Sequence, residues 1–174
     1  AMPGHGDWVP AKYSYGAFSE DGYYYTTNYG ILYYLDLANG GNACLCTKPG
    51  CSHDSEECDT FLSASGDGCP MFFWDGGLYY VNEEASGVQL YRRNADGSGA
   101  EHVMQLCRSY TEDKKTIMVD NYQVADGIFY YCATISAVVK DDAGALREKR
   151  EATVINRADL RAKREETVAK GTDT

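Results

Sequence analysis

The sequence predicts an all-β fold of about three four-stranded antiparallel sheets, arranged like the blades of a partial or open β-propeller. The first observation is a repeated phrase, Asp-Gly followed closely by a tyrosine or phenylalanine pair, which starts at Asp21, Asp75 and Asp126. The copies lie 54 and 51 residues apart, a spacing typical of repeated β units. The second observation is composition, because 15 tyrosines, 18 glycines and only 4 prolines favour strands and tight turns.

The first predicted blade spans residues 12–46 and the second spans residues 70–107. Each contains four short aromatic or apolar segments separated by turns. In the first blade the predicted strands are 13–18, 23–27, 31–37 and 43–46. In the second blade they are 71–74, 77–82, 89–94 and 101–106. The dipeptide Asp96-Gly97 between the last two strands is a strong hairpin signal.

The third predicted blade, residues 121–170, departs from the pattern after its second strand. Its first two strands are predicted at 122–125 and 128–139, and residues 151–160 and 166–169 could supply the other two. Residues 145–170 are rich in Ala, Arg, Glu and Lys, which favour helix, so a C-terminal helix is the alternative. We favour strands because residues 153–160 align with the third strands of the other blades.

Two connections interrupt this single repeat domain, which we take to span residues 1–174. A Cys/His-rich insertion, residues 47–69, separates the first two blades, and a polar link, residues 108–115, joins the second to the third. The insertion has no counterpart in the other repeats. A specific role is therefore expected there.

The net charge of −10 is concentrated in the first 139 residues, which carry −11. An acidic surface of this size repels phosphate backbones, so we expect no nucleic-acid partner. The sequence contains no apolar run of about 18 residues, and we expect no transmembrane segment. Ala1-Met2-Pro3-Gly4 lacks the basic start and apolar stretch of a signal peptide, so an exported form would already have lost its leader.

Three cysteines and a histidine form a C-x4-C-x-H-x4-C pattern at Cys46, Cys51, His53 and Cys58. Three thiolates and one imidazole are a complete tetrahedral ligand set for zinc. Such a site would be structural, since four protein ligands leave no open position for a substrate. The alternative is disulfide bonding, which would join Cys46 to Cys51 or Cys58, or reach Cys44 or Cys69.

Ser52-His53-Asp54 is not interpreted as a catalytic triad, because triad members come from distant segments. Cys107 and Cys132 lie in strand-like segments and are interpreted as small buried side chains, with a disulfide between them as the alternative. Neighbouring tyrosines in a strand point to opposite faces, so the tyrosine pairs are expected to pack the blades. Trp8 and Trp74 are the better candidates for stacking on a ligand.

The segments Asp75-Gly76-Gly77-Leu78-Tyr79-Tyr80 and 90–99 resemble the TolB-like and DUF5050-type β-propellers of surface lipoproteins from gut Firmicutes. The Cys46–Cys58 segment is similar to a Cys-x-Lys-Pro-x-Cys-x-His-x4-Cys motif of those lipoproteins, and the likeness extends over nearly the whole chain. This resemblance implies an extracellular or cell-surface protein whose precursor is lipid-anchored. It implies no active site.

The sequence therefore favours a non-enzymatic extracellular module that binds a protein, peptide or glycan, or acts as a scaffold. Three blades are fewer than the four to eight of closed propellers. The open blade edges are expected to pair with another copy or with the remainder of a longer propeller. The alternative is a glycan-active hydrolase or lyase that uses loop carboxylates, for which the candidates are Asp67, Glu83, Glu84, Asp113 and Asp120.

Overall fold

The computed structural model describes residues 16–27, 29–62, 69–113 and 115–172. Within these ranges twelve strands form three four-stranded antiparallel sheets, and one short helix lies between the second and third. The strands of each sheet follow one another in chain order, so every sheet is a simple meander. The predicted all-β fold with three propeller-like sheets is confirmed.

Sheet 1 and sheet 2 come from the first 106 residues. The strands of sheet 1 are β1 (Gly16–Phe18), β2 (Gly22–Thr26), β3 (Leu32–Asp36) and β4 (Asn42–Cys44). The strands of sheet 2 are β5 (Met71–Trp74), β6 (Gly77–Glu84), β7 (Gly87–Asn94) and β8 (Glu101–Leu106).

Sheet 3 contains the longest strands. They are β9 (Thr116–Ala125), β10 (Ile128–Lys140), β11 (Leu146–Asp159) and β12 (Arg164–Thr172). The β10–β11 hairpin continues beyond Ser136, where the pairing of β10 with β9 ends. A two-stranded ribbon therefore projects from sheet 3.

Two of the three Asp-Gly phrases form the two-residue hairpin turns that their sequence predicts. Asp75 and Gly76 connect β5 to β6 with φ angles of 47° and 69°, and Asp126-Gly127 connects β9 to β10 in the same way. Positive φ at both positions is the requirement of a type I′ turn. The copy at Asp21 differs, because the amide of Gly22 instead donates a hydrogen bond to the Ser19 hydroxyl at 3.1 Å.

The alternative of a C-terminal helix is wrong, since residues 146–159 and 164–172 are strands β11 and β12. Side chains in β11 alternate between buried and exposed, and Ala152, Val154, Asn156 and Ala158 are all buried. This period of two matches a strand with one face on a core. Burial of that face outweighs the helix propensity of the Ala, Arg, Glu and Lys residues.

The polar link between the second and third sheets contains an element that the sequence analysis did not predict. Helix α1 (Arg108–Glu112) has one turn and follows Cys107, whose φ of 51° is left-handed. The amide of Tyr110 donates to the carbonyl of Cys107 at 3.0 Å. The link is thus folded, and its start fixes Cys107 against sheet 3.

Sheet 2 lies between the other two sheets and is buried on both faces. One of its faces shares a core with sheet 3, and the other shares a core with sheet 1. Tyr79 belongs to the first core and Tyr80 to the second. In sheet 3, Tyr131 is buried while its neighbour Tyr130 is 37% exposed. The tyrosine pairs therefore serve opposite faces of their strands, as the alternation of a strand requires.

Candidate metal centre

The four residues of the Cys/His pattern converge in the folded chain. The ligand atoms of Cys46, Cys51, His53 and Cys58 all lie within 4.8 Å of one another. Cys58 is buried and the other three are half-buried. The Sγ of Cys58 lies 3.7 Å from Nδ1 of His53, which assigns Nδ1 as the nitrogen that faces the sulfur atoms.

A tight turn places Cys51 opposite Cys46. The amide of Cys51 donates to the carbonyl of Lys48 at 3.3 Å, and Gly50 has a φ of 73°. A type II turn favours proline at its second position and a glycine with positive φ at its third. The segment Lys48-Pro49-Gly50-Cys51 has both. The turn reverses the chain within four residues. The turn itself therefore brings the second thiol back towards the first.

A second bend directs His53 into the cluster. His53 has a left-handed φ of 58°, and Ser52 donates a short hydrogen bond to Asp54 on the outside of the bend. The imidazole faces Cys58 while Ser52 and Asp54 are exposed. These three consecutive residues therefore do not form a catalytic relay.

The C-terminal end of the loop is fixed to the chain at the start of β3. The amide of Leu32 donates to the carbonyl of Thr60 at 3.0 Å, and the amide of Leu62 donates to Gly30 at 2.9 Å. Ile31 and Phe61 form an antiparallel bridge between these bonds. The loop is consequently rigid at its base, although nearly all of residues 47–57 are exposed or half-buried.

Hydrogen bonds from main-chain amides surround the sulfur atoms. Burial tends to raise the pKa of Cys46, but hydrogen bonds from the backbone of Lys48 and Asp59 and from the side chains of Cys58 and Cys51 together outweigh it and hold that pKa below the ordinary value. Backbone donors of this kind stabilise a thiolate. Cys46 is therefore the thiol that the protein itself favours as an anion.

Cys51 shows the opposite shift. A hydrogen bond from the backbone of His53 favours its thiolate, but burial and the neighbouring Cys58 and Cys46 outweigh that bond and raise the Cys51 pKa to about 11. Several thiolates this close repel one another unless a cation lies between them. The electrostatics of the loop are thus those of a cluster that needs a positive charge at its centre.

Thr60 and Cys44 form a second layer around the cluster. The Thr60 hydroxyl lies 3.5 Å from Sγ of Cys58 and 3.9 Å from Sγ of Cys44. The Cys46 amide donates to Cys44 at 3.5 Å. Buried polar neighbours such as these orient metal ligands. Thr60 lies only two residues after Cys58, yet its burial next to Cys44 could not be read from the sequence.

The donor set could hold a metal ion, and zinc fits it best. A tetrahedral ion with Zn–S bonds of about 2.3 Å brings its sulfur ligands to roughly 3.8 Å from one another. The observed spread of 4.8 Å or less needs only small side-chain movements to reach that geometry. Soft thiolates with an imidazole select zinc over hard cations such as calcium and magnesium.

The other sequence-predicted cysteines lie apart from the centre, except for Cys44. All seven cysteines of the chain are described, and each has a free thiol in this structure. Cys69 is buried in the core between sheets 1 and 2, where burial raises its pKa to about 12. Cys107 packs beside Tyr131 on the core face of sheet 3, whereas Cys132, the next residue along β10, points to the opposite face.

Of the two tryptophan candidates, Trp8 lies outside the described residues. Trp74 is half-buried against the core between sheets 2 and 3, and its ring centre is 5.8 Å from that of Tyr79. The guanidinium of Arg161 lies over the Trp74 ring at 5.1 Å. A cation of the protein itself thus covers the ring at that position.

The carboxylate candidates are separated in the described part of the chain, apart from one pair. Burial raises the pKa of Glu83, and the nearby charge of Asp120 raises it further. Glu84 instead accepts a 2.6 Å hydrogen bond from the hydroxyl of Tyr91. Asp67 lies outside the described residues.

Sequence reasoning missed a polar cluster at the start of α1. The carboxylate of Glu165 accepts hydrogen bonds from the Cys107 amide at 2.9 Å and 3.2 Å, and it also accepts one from Tyr131. Asn156 donates to the Tyr131 hydroxyl at 3.0 Å and to Sγ of Cys107 at 3.3 Å. Cys107 and Glu165 are 58 positions apart, so no local pattern could have joined them.

No helix among the described residues is long and apolar enough to cross a bilayer. Comparison with known proteins finds no family model that matches this chain and no matching curated relative.

Proposed function

We propose that this chain is a non-enzymatic binding or scaffolding module in which Cys46, Cys51, His53 and Cys58 hold one structural Zn²⁺ ion. The observation that carries the proposal is the convergence of all four donor atoms within 4.8 Å. The donors lie on a loop whose residues are mostly exposed. A loop without its own hydrophobic core needs another source of folding energy, and metal binding supplies one.

A structural role is favoured over a catalytic one by the number of protein ligands. Catalytic zinc sites keep a position open for water or substrate, whereas structural sites are closed by four protein ligands. Cys46, Cys51, His53 and Cys58 fill all four positions of a tetrahedron. The zinc would thus fix the loop and leave the chemistry of any bound partner unchanged.

The loop also contacts the neighbouring sheet, so its order affects how two sheets pack. A side chain at Gly97 in the β7–β8 turn would meet Cβ of Leu45 at 2.7 Å and the methyl group of Thr60 at 3.4 Å. Tyr24 of sheet 1 donates a 2.9 Å hydrogen bond to the carbonyl of Ala95 in the same turn. Zinc bound in the loop would therefore support the junction of sheet 1 and sheet 2, which a scaffold needs to hold its binding surfaces in place.

Metal content of the full chain, purified without chelator, tests this proposal. Elemental analysis is expected to find about one zinc per chain in the wild type. The Cys58→Ser variant is expected to lose most of it, because the buried thiolate ligand is replaced by a weaker donor. The matched control is Cys132→Ser, which removes a half-buried thiol in sheet 3, away from the ligand set, and should keep the zinc.

Thiol counting gives the complementary measurement. Seven thiols that become reactive only after denaturation with chelator would support the metal site. A wild-type protein without zinc, whose loop cysteines are unreactive in denaturant until a reductant is added, would contradict the proposal and establish disulfides instead.

A further inference from the structure

The large exposed hydrophobic side chains of the described residues lie in the two outer sheets or in their turns. Among the described residues, the large hydrophobic side chains that are exposed belong either to residues 18–37 or to residues 118–168. Sheet 2, which has a neighbour on each face, exposes none of its own. Phe18, Met118, Tyr130 and Ile155 lie on the faces of the outer sheets that point away from sheet 2, whereas the others include turn residues and residues of the projecting ribbon.

The far face of sheet 1, which points away from sheet 2, is a strip of aromatic rings. Phe18 and Tyr23 have ring centres 4.6 Å apart, Tyr23 and Tyr25 are nearly parallel at 6.1 Å, and Tyr33 follows at 5.8 Å from Tyr25. Phe18 is 59% exposed. These residues alternate with Ala17, Tyr24 and Leu32, which fill the core on the other face.

The far face of sheet 3 carries exposed apolar side chains among polar ones such as Asp120, Thr134 and Arg157. Met118, Tyr130 and Ile155 are 56%, 37% and 43% exposed, and they lie on the side of the sheet opposite to the buried Tyr131 and Val154. Each of the three comes from a different strand. The face is thus broad enough to receive another sheet.

The charges of the two outer sheets favour contact between unlike faces. Residues 16–44 contain Glu20, Asp21 and Asp36 but no lysine or arginine, whereas residues 116–172 contain nine lysines and arginines and nine aspartates and glutamates. Two copies of sheet 1 would bring acidic groups together, which costs free energy. Sheet 1 against sheet 3 avoids this cost, because it places the acid-only sheet beside a sheet whose acidic and basic residues balance.

We propose that the far face of sheet 1 packs against the far face of sheet 3 of a second copy of this chain, and that the reciprocal contact closes a ring of two chains. The ring would contain six sheets, within the four to eight of known propellers. Because the two contacting surfaces differ, each contact is head-to-tail, and a twofold axis generates two identical contacts.

The buried area requires both contacts. A face of four strands, spaced about 4.8 Å apart and roughly five residues long, covers on the order of 300 Å². One contact hides two such faces, about 600 Å², which is the size of a nonspecific crystal contact. The closed ring hides four faces and about 1,200 Å², the lower end of the range for specific complexes.

The test is the solution mass of the full, zinc-loaded chain, measured by light scattering over a range of concentrations. The wild type is expected to have the mass of two chains. Phe18→Glu and Ile155→Lys each place a charge in both contacts, and each is expected to raise the dissociation constant of the dimer at least about tenfold. Leu146→Lys is the control, because Leu146 is 69% exposed on the projecting ribbon.

Mixing the two variants separates head-to-tail contacts from all other arrangements. A mixed ring has one unaltered contact, and in the other contact the new glutamate faces the new lysine. Equal amounts of Phe18→Glu and Ile155→Lys are therefore expected to restore the two-chain mass. A face that meets its own copy would give no such rescue.

Three results would overturn the proposal. A wild-type mass of one chain at all concentrations would show that a second copy does not cover these faces. Failure of the mixed variants to associate, while each keeps its unfolding temperature, would exclude head-to-tail contacts. A mass that grows beyond two chains would exclude the closed ring. None of these results bears on the metal assignment, which is tested by zinc content.

Discussion

The hydroxyl of Tyr122 donates to the carbonyl of Met71 at 2.9 Å and accepts from the amide of the same residue at 3.1 Å. Tyr122 lies in β9 of sheet 3, whereas Met71 begins β5, the edge strand of sheet 2. All these groups are buried. A side chain of one sheet thus completes the backbone hydrogen bonding of the next, in place of an additional strand.

Tyr122→Phe is expected to lower the free energy of unfolding by about 1–3 kcal/mol, because it leaves a buried amide and a buried carbonyl unpaired. Urea denaturation measures this change. Tyr29→Phe is the matched control, since Tyr29 is 62% exposed in the turn between β2 and β3 and should change stability by less than about 0.5 kcal/mol. Equal effects of the two substitutions would contradict a special role for the hydroxyl of Tyr122.

The buried Glu165 predicts a dependence of stability on pH. Burial raises its pKa from 4.5 to about 7, although the Cys107 amide opposes that shift. Because the folded pKa lies above the unfolded one, the folded state binds more protons between these values. The contribution of Glu165 to stability is therefore complete below pH 4.5 and is lost as the pH rises towards 7 and above.

Glu165→Gln removes this titration and keeps an oxygen that can accept from Tyr131. Chemical denaturation measures the free energy of unfolding of both proteins. The value for the variant minus the value for the wild type is expected to be larger at pH 8 than at pH 5, so the variant gains relative stability as the pH rises. The control is Glu166→Gln, where the lost carboxylate forms a surface ion pair with Arg157. A pH profile of Glu165→Gln that is parallel to the wild type would refute the assignment.

Zinc is expected to stabilise the protein according to its occupancy. Free zinc at a hundred times its dissociation constant should add about 2.7 kcal/mol to the free energy of unfolding. Chelation should reverse this gain in stability. It should also increase hydrogen exchange in residues 45–62 more than in sheet 3, since the contacts of the Cys/His-rich loop are with sheets 1 and 2. A Cys58→Ser protein should not respond to the chelator, and a wild type that does not respond either would count against a structural metal.

Gly22→Ala is expected to destabilise the protein by about 1–3 kcal/mol, the usual cost of overpacking. A Cβ atom at Gly22 would overlap the ring of Tyr34, which lies flat on the backbone at this position. Gly41→Ala is the matched control in the same sheet, because no atom lies within 4 Å of the Cβ it would add. Thermal unfolding of the two variants measures the difference, and similar midpoints would argue against the close packing of Tyr34.

The local parts of this structure could be predicted because their causes are local. Positive φ at Asp75 and Gly76 follows from the needs of a type I′ turn, and the Lys48–Cys51 turn follows from a Pro-Gly pair. The convergence of the metal ligands was predictable for the same reason, since all four lie within 13 residues.

The remaining features depend on contacts between distant residues. Helix α1 starts where Glu165 receives the amide of Cys107, and nothing near Cys107 in the sequence signals that partner. Residues 146–172 form strands despite their helix propensity. The burial of Val154 and Asn156 on the core face of sheet 3 outweighs that propensity. Which face of an outer sheet stays open also depends on how sheets stack, and a repeat alone does not determine it.

The hydrogen bonds that hold the Cys/His-rich loop against sheet 1 affect the order of folding. The four ligands and the backbone partners of the loop all lie between Gly30 and Leu62. Contacts of such short sequence separation form early. On the ribosome, the loop could bind a metal ion as soon as Leu62 has emerged, before any strand of sheet 2 has emerged. The β7–β8 turn then docks on a surface that is already in place.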